Sequence, residues 1–319
     1  MGVKRVLVTG AAGFVGIPVT KALLERGFEV VALDNFSVGS RELLERAIEG
    51  EDASIVEADL RNAEAVRSAV AAAAPWGVIH LAALHFIPYC VAHPSEAVAV
   101  NVAGTQHLLD ALLEVEPRRL VFASTADVYD PSEIAHAETD PVGPVNVYGA
   151  TKLIGEQLVD FHRSRQPELE SVVARLFNVY GPGETNPHVM PAIFEQLATS
   201  RALSLGNLTP RRDYIFVADM AKALAGLLTR GPGGATVNVG TGTSTSVEEL
   251  LRSIEVVLND EIEVRTDPTR VRPSDRPRLQ ADTERLSSIL PDFEPIALDQ
   301  GLRTTLEAVG LLEPSPVSA

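Results

Sequence analysis

The sequence predicts an α/β fold in which a doubly wound parallel sheet is followed by a smaller and more irregular α/β region. Short apolar runs rich in β-branched residues alternate with longer segments of helical period. Most of these runs are apolar on both faces, which is typical of a parallel sheet covered by helices on both sides. The alternation breaks after about Leu176, where proline and glycine become frequent.

Six strands and the helices between them can be placed in order along the first part of the chain. The first apolar run leads into a glycine-rich turn and then a helical segment, and right-handed crossovers would place such helices on both faces of the sheet. The predicted strands cover residues 5–9, 29–33, 54–57, 77–81, 120–124 and 171–176, and helical segments are expected at 18–26, 100–114 and 148–163.

A second domain is expected to hold the remaining elements. We place the first domain at residues 1–175 and the second mainly at 176–319, with part of 212–250 returning to the first. Residues 237–239 read as a short buried strand. Ser246 and Glu249 have the spacing of a capping box that begins a helix.

Composition and charge exclude several classes of protein. A chain of 319 residues, 45% hydrophobic and 22% charged, is an ordinary globular protein of about two domains. The net charge of −16 argues against a general nucleic-acid binder, because it repels phosphate backbones. The single cysteine, Cys90, makes neither an intrachain disulfide nor a zinc cage, and we expect no metal site.

One uncharged stretch, residues 68–95, is long enough to suggest a membrane span. Four Pro or Gly residues and three His residues interrupt it, so it is better explained as a helix end, a turn, a buried strand and a loop. The first strand begins almost at the N-terminus, which leaves no room for a signal peptide. We therefore expect a cytoplasmic protein with no membrane partner.

The glycine-rich turn after the first strand has the features of a dinucleotide site. Gly10, Gly13 and Gly16 would let the backbone approach a pyrophosphate, whose charge faces the N-terminus of the following helix. The second strand ends at Asp34, 24 positions past Gly10, close to the spacing at which a carboxylate accepts from an adenosine ribose. This carboxylate favours NAD over NADP. Asp59, at the end of the third strand, lies at the adenine edge or caps a turn.

A tyrosine and a lysine four positions apart supply candidate catalytic groups. Tyr148 and Lys152 would share one face of a helix, where the ammonium favours a phenolate. Ser124 and Thr125 stand at the carboxyl end of a predicted parallel strand, where open α/β sheets place their ligands. A Tyr and a Lys four positions apart often occur by chance. The hydroxyl residues at the end of the predicted strand are what make a catalytic role the better interpretation.

The pattern resembles the short-chain dehydrogenase/reductase superfamily, and specifically its extended branch that acts on nucleotide sugars. The spacing of Gly10, Gly13 and Gly16 and the run from Tyr148 to Lys152 carry this resemblance. Segments similar to those of UDP-galactose 4-epimerases, nucleotide-sugar dehydratases and UDP-glucuronate decarboxylases begin at His80, Asn101, Arg175, Arg212 and Asn238.

The resemblance implies NAD as the cofactor and a nucleoside diphosphate sugar, with UDP the expected nucleotide, as the substrate. Tyr148 would accept the proton of a sugar hydroxyl, and Lys152 would lower the pKa of the phenol and hold the nicotinamide ribose. Thr125, with Ser124 beside it, would hydrogen-bond the same substrate oxygen. The other implied cofactor contacts are Phe14, Val15, Asn35, Leu60, Leu81, Ala82, Ala83 and Asn101. The implied substrate contacts are His85, Asn178, Arg212, Arg272 and Asp275.

The residues that follow Thr125 separate the reactions open to such a site. A dehydratase of this kind typically carries Asp and Glu there, whereas this chain has Ala126 and Asp127, and alanine cannot donate a proton. The pattern favours epimerisation at C4 through a transient 4-keto sugar. A dehydratase or decarboxylase that uses Asp127 as an added acid or base stays the alternative. A non-catalytic NAD-binding regulator is disfavoured, because the Thr, Tyr and Lys are all intact.

This chain departs from the epimerase pattern at two positions, and the roles of His85 and Asp127 stay open. His85 stands where galactose epimerases usually have Lys, and Asp130 replaces a usual Gly. His85 either lines the cofactor pocket or donates a proton. Asp127 either caps a turn or contacts the sugar.

The resemblance also implies a homodimer. In relatives, the helices that correspond to 100–114 and 148–163 pack against a second subunit as a four-helix bundle.

Overall fold

A parallel sheet of seven strands forms the centre of the structure, a computed structural model that describes residues 3–270 and 276–314. The strands are β1 (Arg5–Thr9), β2 (Glu29–Asp34), β3 (Ala53–Glu57), β4 (Gly77–His80), β5 (Arg119–Thr125), β6 (Glu170–Leu176) and β10 (Ala235–Val239). Their order across the sheet is β10-β6-β5-β4-β1-β2-β3, and every neighbouring pair is parallel. The predicted α/β fold class is confirmed.

The α-helices of the described residues cover both faces of this sheet or pack in the core of the second region. They are α1 (Gly16–Leu24), α2 (Arg41–Ala47), α3 (Ala63–Ala73), α4 (Ile87–Ala92), α5 (Pro94–Val98), α6 (Gly104–Val115), α7 (Val147–Arg165), α8 (Val189–Leu197), α9 (Val217–Arg230), α10 (Val247–Leu258), α11 (Glu284–Ile289) and α12 (Leu298–Ala308). Among the described residues, none of these helices is both long and apolar enough to cross a membrane.

The sequence of β1 explains why both faces are covered. Val6 and Val8 point to the side on which α1 and α9 pack, whereas Leu7 points to the side of α3 and α6. All three side chains are fully buried, as expected for a strand with apolar residues at every position.

The predicted helix at 100–114 differs from the structure at its start. Residues Ala99–Ala103 form a π-helical turn, and the α-helical part, α6, begins at Gly104. Asn101 lies in this turn with its amide buried against the loop that follows β4. Single π turns of this kind are frequent at functional sites, and periodicity cannot detect them.

The second region contains smaller sheets around a separate core. Tyr180, Phe194, Tyr214, Ile254 and Leu306 belong to that core. Strand β9 (Arg211–Phe216) pairs with β7 (Asn178–Tyr180), β11 (Ser244–Ser246) and β13 (Arg278–Leu279), and β8 (Ala202–Leu205) pairs with β12 (Glu263–Thr266).

All seven central strands end at one edge of the sheet, which we call the carboxyl edge. β1 and β4 are neighbours there, and the chain leaves them toward opposite ends of the sheet, to β2 and to β5. Ligands of open α/β sheets bind at such a reversal point, because the loops diverge and leave a crevice. The loops that follow β1, β2, β4, β5 and β6 all border this crevice.

Candidate active site

The turn after β1 is built so that side chains are excluded. Gly10 has φ +71°, and a Cβ at this position would lie 2.7 Å from the backbone nitrogen of Ala82. A Cβ on Gly16 would lie 2.0 Å from the carbonyl oxygen of Gly10. Phe14 and Val15 are half-buried just before α1. The backbone N–H groups at the start of α1 are therefore not covered by side chains, and this turn fits a dinucleotide pyrophosphate.

Asp34 ends β2 with its carboxylate fixed by backbone groups. The carboxylate accepts hydrogen bonds from the backbone nitrogens of Ala12, at 2.9 Å, and Phe36, at 2.8 Å. The side chain is 8% exposed and lies beside the glycine turn. Since a carboxylate has about four lone-pair sites, two acceptor positions remain for the hydroxyls of a ribose.

Asp59 is already engaged by its neighbours. It accepts from the amide of Asn35 at 3.0 Å and from the guanidinium of Arg61 at 2.6 Å. These bonds hold the pKa of the Asp59 carboxyl well below its usual range. The adjacent Leu60 side chain is buried against Gly104, so Leu60 can offer only backbone to a cofactor.

The loop after β4 is tied to the catalytic helix by Asn101. Its amide oxygen accepts from the backbone nitrogen of Leu84 at 2.8 Å, and its amide nitrogen donates to the Leu84 carbonyl and to the Thr151 hydroxyl, at 2.9 and 3.0 Å. The structure thus places Asn101 as a bridge to α7, and its amide is directed at protein groups. Leu81, Ala82 and Ala83 are half-buried along the crevice between this bridge and β1.

A buried histidine that the sequence interpretation did not assign fixes the end of β4. His80 contacts the hydroxyls of Thr9, at 2.6 Å, and Thr105, at 3.0 Å. Burial lowers the pKa of His80 to about 3, so the ring is neutral at physiological pH. His80 therefore joins β1, β4 and α6 beneath the crevice.

Thr125, Tyr148 and Lys152 meet at the carboxyl edge. Thr125 ends β5 close to the Tyr148 phenol, and its side chain lowers the pKa of that phenol. Asn146 caps α7 by accepting from the backbone nitrogen of Gly149 at 2.8 Å, which fixes the first turn of that helix. The Lys152 ammonium lies on the same helix, 4.6 Å from the centre of the Phe122 ring.

Burial sets the charge preferences of this pair. It raises the pKa of the Tyr148 phenol above its ordinary value of 10, and the nearby Asp127 carboxylate adds to the increase. It lowers the pKa of Lys152 to about 8, against a favourable interaction with Glu156. Both shifts have the same cause, which is that a charge is costly in a site with little water.

Ser124 does not face the phenol. It is 1% exposed, and its hydroxyl donates to the Glu156 carboxylate on α7. Neighbouring residues of a strand point to opposite faces, so Ser124 and Thr125 cannot address the same oxygen from β5. The expectation that Ser124 assists Thr125 at the substrate is corrected to a contact with Glu156.

Asp127 is held by an arginine that sequence reasoning missed. Arg276 donates to the backbone carbonyls of Tyr129 and Asp127, at 2.7 and 3.0 Å, and its Nε lies 3.6 Å from the Asp127 carboxylate. Asn146 donates to the same carboxylate at 3.3 Å. No pattern in the sequence distinguishes Arg276 from the other arginines around it, because its partners lie far away along the chain.

Two of the predicted substrate residues, Asn178 and Arg212, lie on neighbouring strands β7 and β9 of the second region. The side-chain oxygen of Asn178 is buried and has no hydrogen-bond partner within residues 3–270 and 276–314, as expected of a group that awaits a ligand. Arg212 donates to the carbonyls of Arg211 and Arg276, both at 2.9 Å. Arg272 and Asp275 lie outside the described residues.

His85 borders the crevice from the first domain. It contacts the amide of Asn186 at 3.1 Å, and its ring lies 6.1 Å from that of His188. His188 in turn pairs with Glu184, so the loop after β4 meets the loop before α8. Among the residues that the structure describes, no group of His, Cys, Asp and Glu is arranged to hold a metal ion.

The parallel sheet, the glycine turn without side chains and the Thr-Tyr-Lys group together fit an enzyme that uses a dinucleotide cofactor. The chain belongs to the NAD dependent epimerase/dehydratase family, whose family model matches residues 6–240. The predicted family resemblance and NAD as the cofactor are thereby confirmed.

Individual relatives narrow the class to epimerases. The chain is 35% identical over 286 residues to UDP-glucose 4-epimerase of Bacillus subtilis, covering 82% of this chain and 84% of the relative. It is 33% identical to the enzyme of the same name from Mycolicibacterium smegmatis, over 95% and 97% of the two chains. These similarities give no support to the lyase alternative.

Solved structures agree with this grouping. The UDP-glucose 4-epimerase of Thermus thermophilus, solved with NAD, superposes with a TM-score of 0.83 at 31% identity, over 96% of this chain and 99% of that one. The UDP-glucose 4-epimerase of Thermotoga maritima, solved with UDP-glucose, gives 0.87 at 27% identity, over 96% and 99%.

Proposed function

We propose that this protein interconverts the C4 epimers of a UDP-hexose or UDP-uronate through a transient 4-keto sugar. The observation that carries the proposal is that Thr125 lies close to Tyr148, with Lys152 buried one turn further along α7, at the edge of the sheet where the glycine turn also lies. NAD, when bound, supplies the acceptor and donor of the hydride.

The chain's own residues would hold the cofactor along this edge. Gly10, Gly13 and Gly16 leave space for the pyrophosphate, and Asp34 accepts from the adenosine ribose. Lys152 holds the nicotinamide ribose. The acidic Asp34 disfavours a 2′-phosphate by charge repulsion, which supports NAD over NADP.

Tyr148 is the proposed base and acid at the sugar 4-oxygen. Its buried phenol keeps its proton at neutral pH unless positive charge lies close, because burial raises its pKa. The Lys152 ammonium supplies that charge from one helical turn away, and an oxidised nicotinamide adds to it. Thr125 would hydrogen-bond the same sugar oxygen and orient it. In the reverse half-reaction the phenol returns the proton.

The residues on the far side of the crevice suit a nucleoside diphosphate. The amide oxygen of Asn178 is buried without a partner in the described part of the chain, and Arg212 lies on the neighbouring strand β9. We propose that these groups, together with Arg272, Asp275 and His85, bind the UDP-sugar. Guanidinium groups suit phosphate oxygens in an acidic protein, because two N–H donors match two oxygens.

A lyase mechanism is disfavoured at Asp127. Elimination or decarboxylation needs an additional acid or base that can exchange its proton. The Asp127 carboxylate instead interacts with Arg276 and Asn146, and the neighbouring Ala126 has no proton to give. These contacts support epimerisation.

We propose a homodimer formed by α6 and α7 of two subunits. Ile154 and Phe161 are two turns apart on α7, so they share a face, and they are 40% and 62% exposed. Large apolar side chains on one helix face are usually covered by a partner. A second copy of this chain fits, because it would bring an identical apolar face.

Incubation with candidate UDP-sugars tests the proposed reaction. UDP-glucose, UDP-glucuronate and UDP-N-acetylglucosamine are each incubated with the protein and NAD, and products are separated and weighed by mass spectrometry. We expect a new isomer of unchanged mass from one of them. Loss of water or carbon dioxide, or no reaction with any of them, would overturn the proposal.

A further inference from the structure

A buried ionic group lies directly behind the catalytic lysine. Glu156 follows Lys152 by one turn of α7 and is 8% exposed. Its carboxylate accepts two hydrogen bonds from the Arg175 guanidinium, at 2.7 and 3.0 Å, and one from the Ser124 hydroxyl. Three contacts from two different strands therefore fix one carboxylate.

We propose that Glu156 is a positioning residue which keeps the Lys152 ammonium charged and in place for the Tyr148 phenol, with Arg175 and Ser124 holding the carboxylate. This inference rests on the proposed function, since it assigns Glu156 a role in that same site.

The geometry places Glu156 where its charge acts on Lys152. Residues four apart on a helix lie on the same face, and both side chains are almost entirely removed from water. The Lys152 ammonium also lies 4.6 Å from the centre of the Phe122 ring, which attracts a cation more weakly than a carboxylate does. Among the described residues, the Glu156 carboxylate is the negative charge that acts on Lys152.

The other ionisable groups around Lys152 do not supply negative charge. His80, from β4, has its pKa lowered by burial to about 3 and is neutral, and His85, from the loop after β4, carries no negative charge in either protonation state. The Tyr148 phenol, on α7, keeps its proton. The remaining charge is the Arg175 cation on β6, which pairs with Glu156.

Burial and the Glu156 carboxylate have opposite effects on the protonation state of Lys152. Burial lowers the pKa of Lys152 to about 8, and Glu156 is the group that opposes this decrease. Without the carboxylate, burial would act alone and the Arg175 cation would add repulsion. Lys152 would then lose its proton near neutral pH, and the phenol would lose its stabilising charge.

A purely structural role for the Glu156–Arg175 pair is the competing explanation. The pair joins α7 to β6, and Arg175 also lies 4.7 Å from the Tyr129 ring and donates to the Glu138 carbonyl. Removing either partner would then weaken the fold in the same way. Our proposal instead predicts opposite effects on Lys152, because Glu156 and Arg175 carry opposite charges.

Titration of the lysine side chains by NMR separates the two explanations. The chain contains only four lysines, Lys4, Lys21, Lys152 and Lys222. With ¹³C-labelled lysine, the Cε signals can be followed against pH, and the signal lost in Lys152→Met identifies the catalytic residue. The other three serve as internal references whose midpoints should not change.

In the Glu156→Gln variant we expect the Lys152 midpoint to fall by about one pH unit, because an adjacent carboxylate is lost. In the Arg175→Gln variant we expect it to rise, because the competing cation is removed. An unchanged or raised midpoint in Glu156→Gln, or a lowered one in Arg175→Gln, overturns the proposal.

A double variant tests the proposal if the single variants fail to fold. Glu156→Gln with Arg175→Gln removes both members of the buried ion pair, and such paired replacements are far better tolerated than single ones. Its Lys152 midpoint is expected below that of the unmodified protein, and an equal or higher value counts against the proposal. Circular dichroism of each variant confirms that the fold is retained.

The pH dependence of turnover supplies the functional outcome. Activity should fall as pH rises through the Lys152 midpoint, and in Glu156→Gln this alkaline limb should move to lower pH by the same shift. The NMR titration needs no substrate. If the unmodified protein epimerises no UDP-sugar, the proposed function is contradicted. If the Lys152 midpoint is unchanged in Glu156→Gln, this inference alone is contradicted.

Discussion

At the scale of single residues, the two proposed catalytic groups on α7 both have charged forms that their surroundings disfavour. Tyr148 has a raised pKa and Lys152 a lowered one, both chiefly from burial. The arrangement costs stability, which is common where function requires buried ionisable groups. The two side chains therefore have separable effects on activity and on folding.

Replacing Tyr148 by Phe removes one oxygen and little else. We expect turnover to fall by at least about 100-fold, because proton transfer by a positioned group contributes that much or more. NAD content and the melting temperature should change little. The measurement is isomer formation at saturating UDP-sugar. Tyr89→Phe, a change at a 40% exposed position, is the matched control and should keep full turnover. Comparable activity in both variants would contradict the role of the phenol.

Lys152 should destabilise the folded protein below about pH 8. Its folded pKa, about 8, lies under the ordinary value of 10.5, so the folded state holds the proton more weakly than the unfolded state. The penalty is complete below pH 8 and disappears as pH rises toward 10.5.

We therefore expect Lys152→Met to raise the free energy of unfolding at pH 7 by up to about 3 kcal/mol, the equivalent of that shift, while abolishing turnover. The gain should shrink above pH 8. Urea unfolding at pH 7 and at pH 10 measures it. A variant that is less stable than the unmodified protein at pH 7 contradicts this account of the buried ammonium.

At the scale of elements, α7 carries most of the site. Its first turn places Tyr148, its second Lys152 and its third Glu156, while Phe161 lies further along on the exposed side. The cap at Asn146 fixes where this series begins, and the same amide contacts Asp127. An error at the start of the helix would shift every catalytic group.

Two helix caps of similar chemistry test this dependence. Asn146→Ala and Ser246→Ala each remove a side chain that accepts from a helix N–H, and each should cost about 1 kcal/mol of stability. Only Asn146→Ala should also lower turnover, since Ser246 begins α10, away from the crevice. Thermal unfolding and turnover are measured for both. Equal losses of turnover would show that general weakening of the fold, and not the placement of α7, is responsible.

At the scale of the whole molecule, the crevice depends on residues from both halves of the chain. Arg276 connects the second region to the loop after β5 through the carbonyls of Tyr129 and Asp127. The proposed dimer interface lies on the outer face of α7, so assembly and catalysis share one helix. The cytoplasmic location stays a prediction.

Phe161→Asp tests the assembly. A charge on the exposed face of α7 should convert the proposed dimer to a monomer, because burying an unpaired carboxylate is costly. Light scattering coupled to size exclusion should give half the mass of the unmodified protein. Val256→Asp is the control. Val256 lies on α10 and is 73% exposed, so this change should leave the mass unchanged. A monomeric mass for the unmodified protein would contradict the proposal.

The sequence by itself determined the features that arise from local constraints. The apolar runs predicted the strands of the parallel sheet to within a residue or two at their ends. The structure adds Asp34 to β2 and Thr125 to β5, and it ends β4 at His80, one residue before the predicted end. Glycine spacing predicted the turn after β1, since only glycine tolerates the contacts found at Gly10 and Gly16. The sequence predicted that Tyr148 and Lys152 share one helix face, because the backbone fixes the periodicity of a helix.

The tertiary structure alone decided which partners these groups meet. Asp127 contacts Arg276, Glu156 contacts Arg175, and Asn101 contacts the loop after β4, and each pair joins separate segments of the chain. No local pattern encodes these pairs, because they form only when the sheet order and helix packing bring distant segments together. Ser124 gives the clearest case: its residue type suggested catalysis, but the alternation of β5 directs its hydroxyl to Glu156.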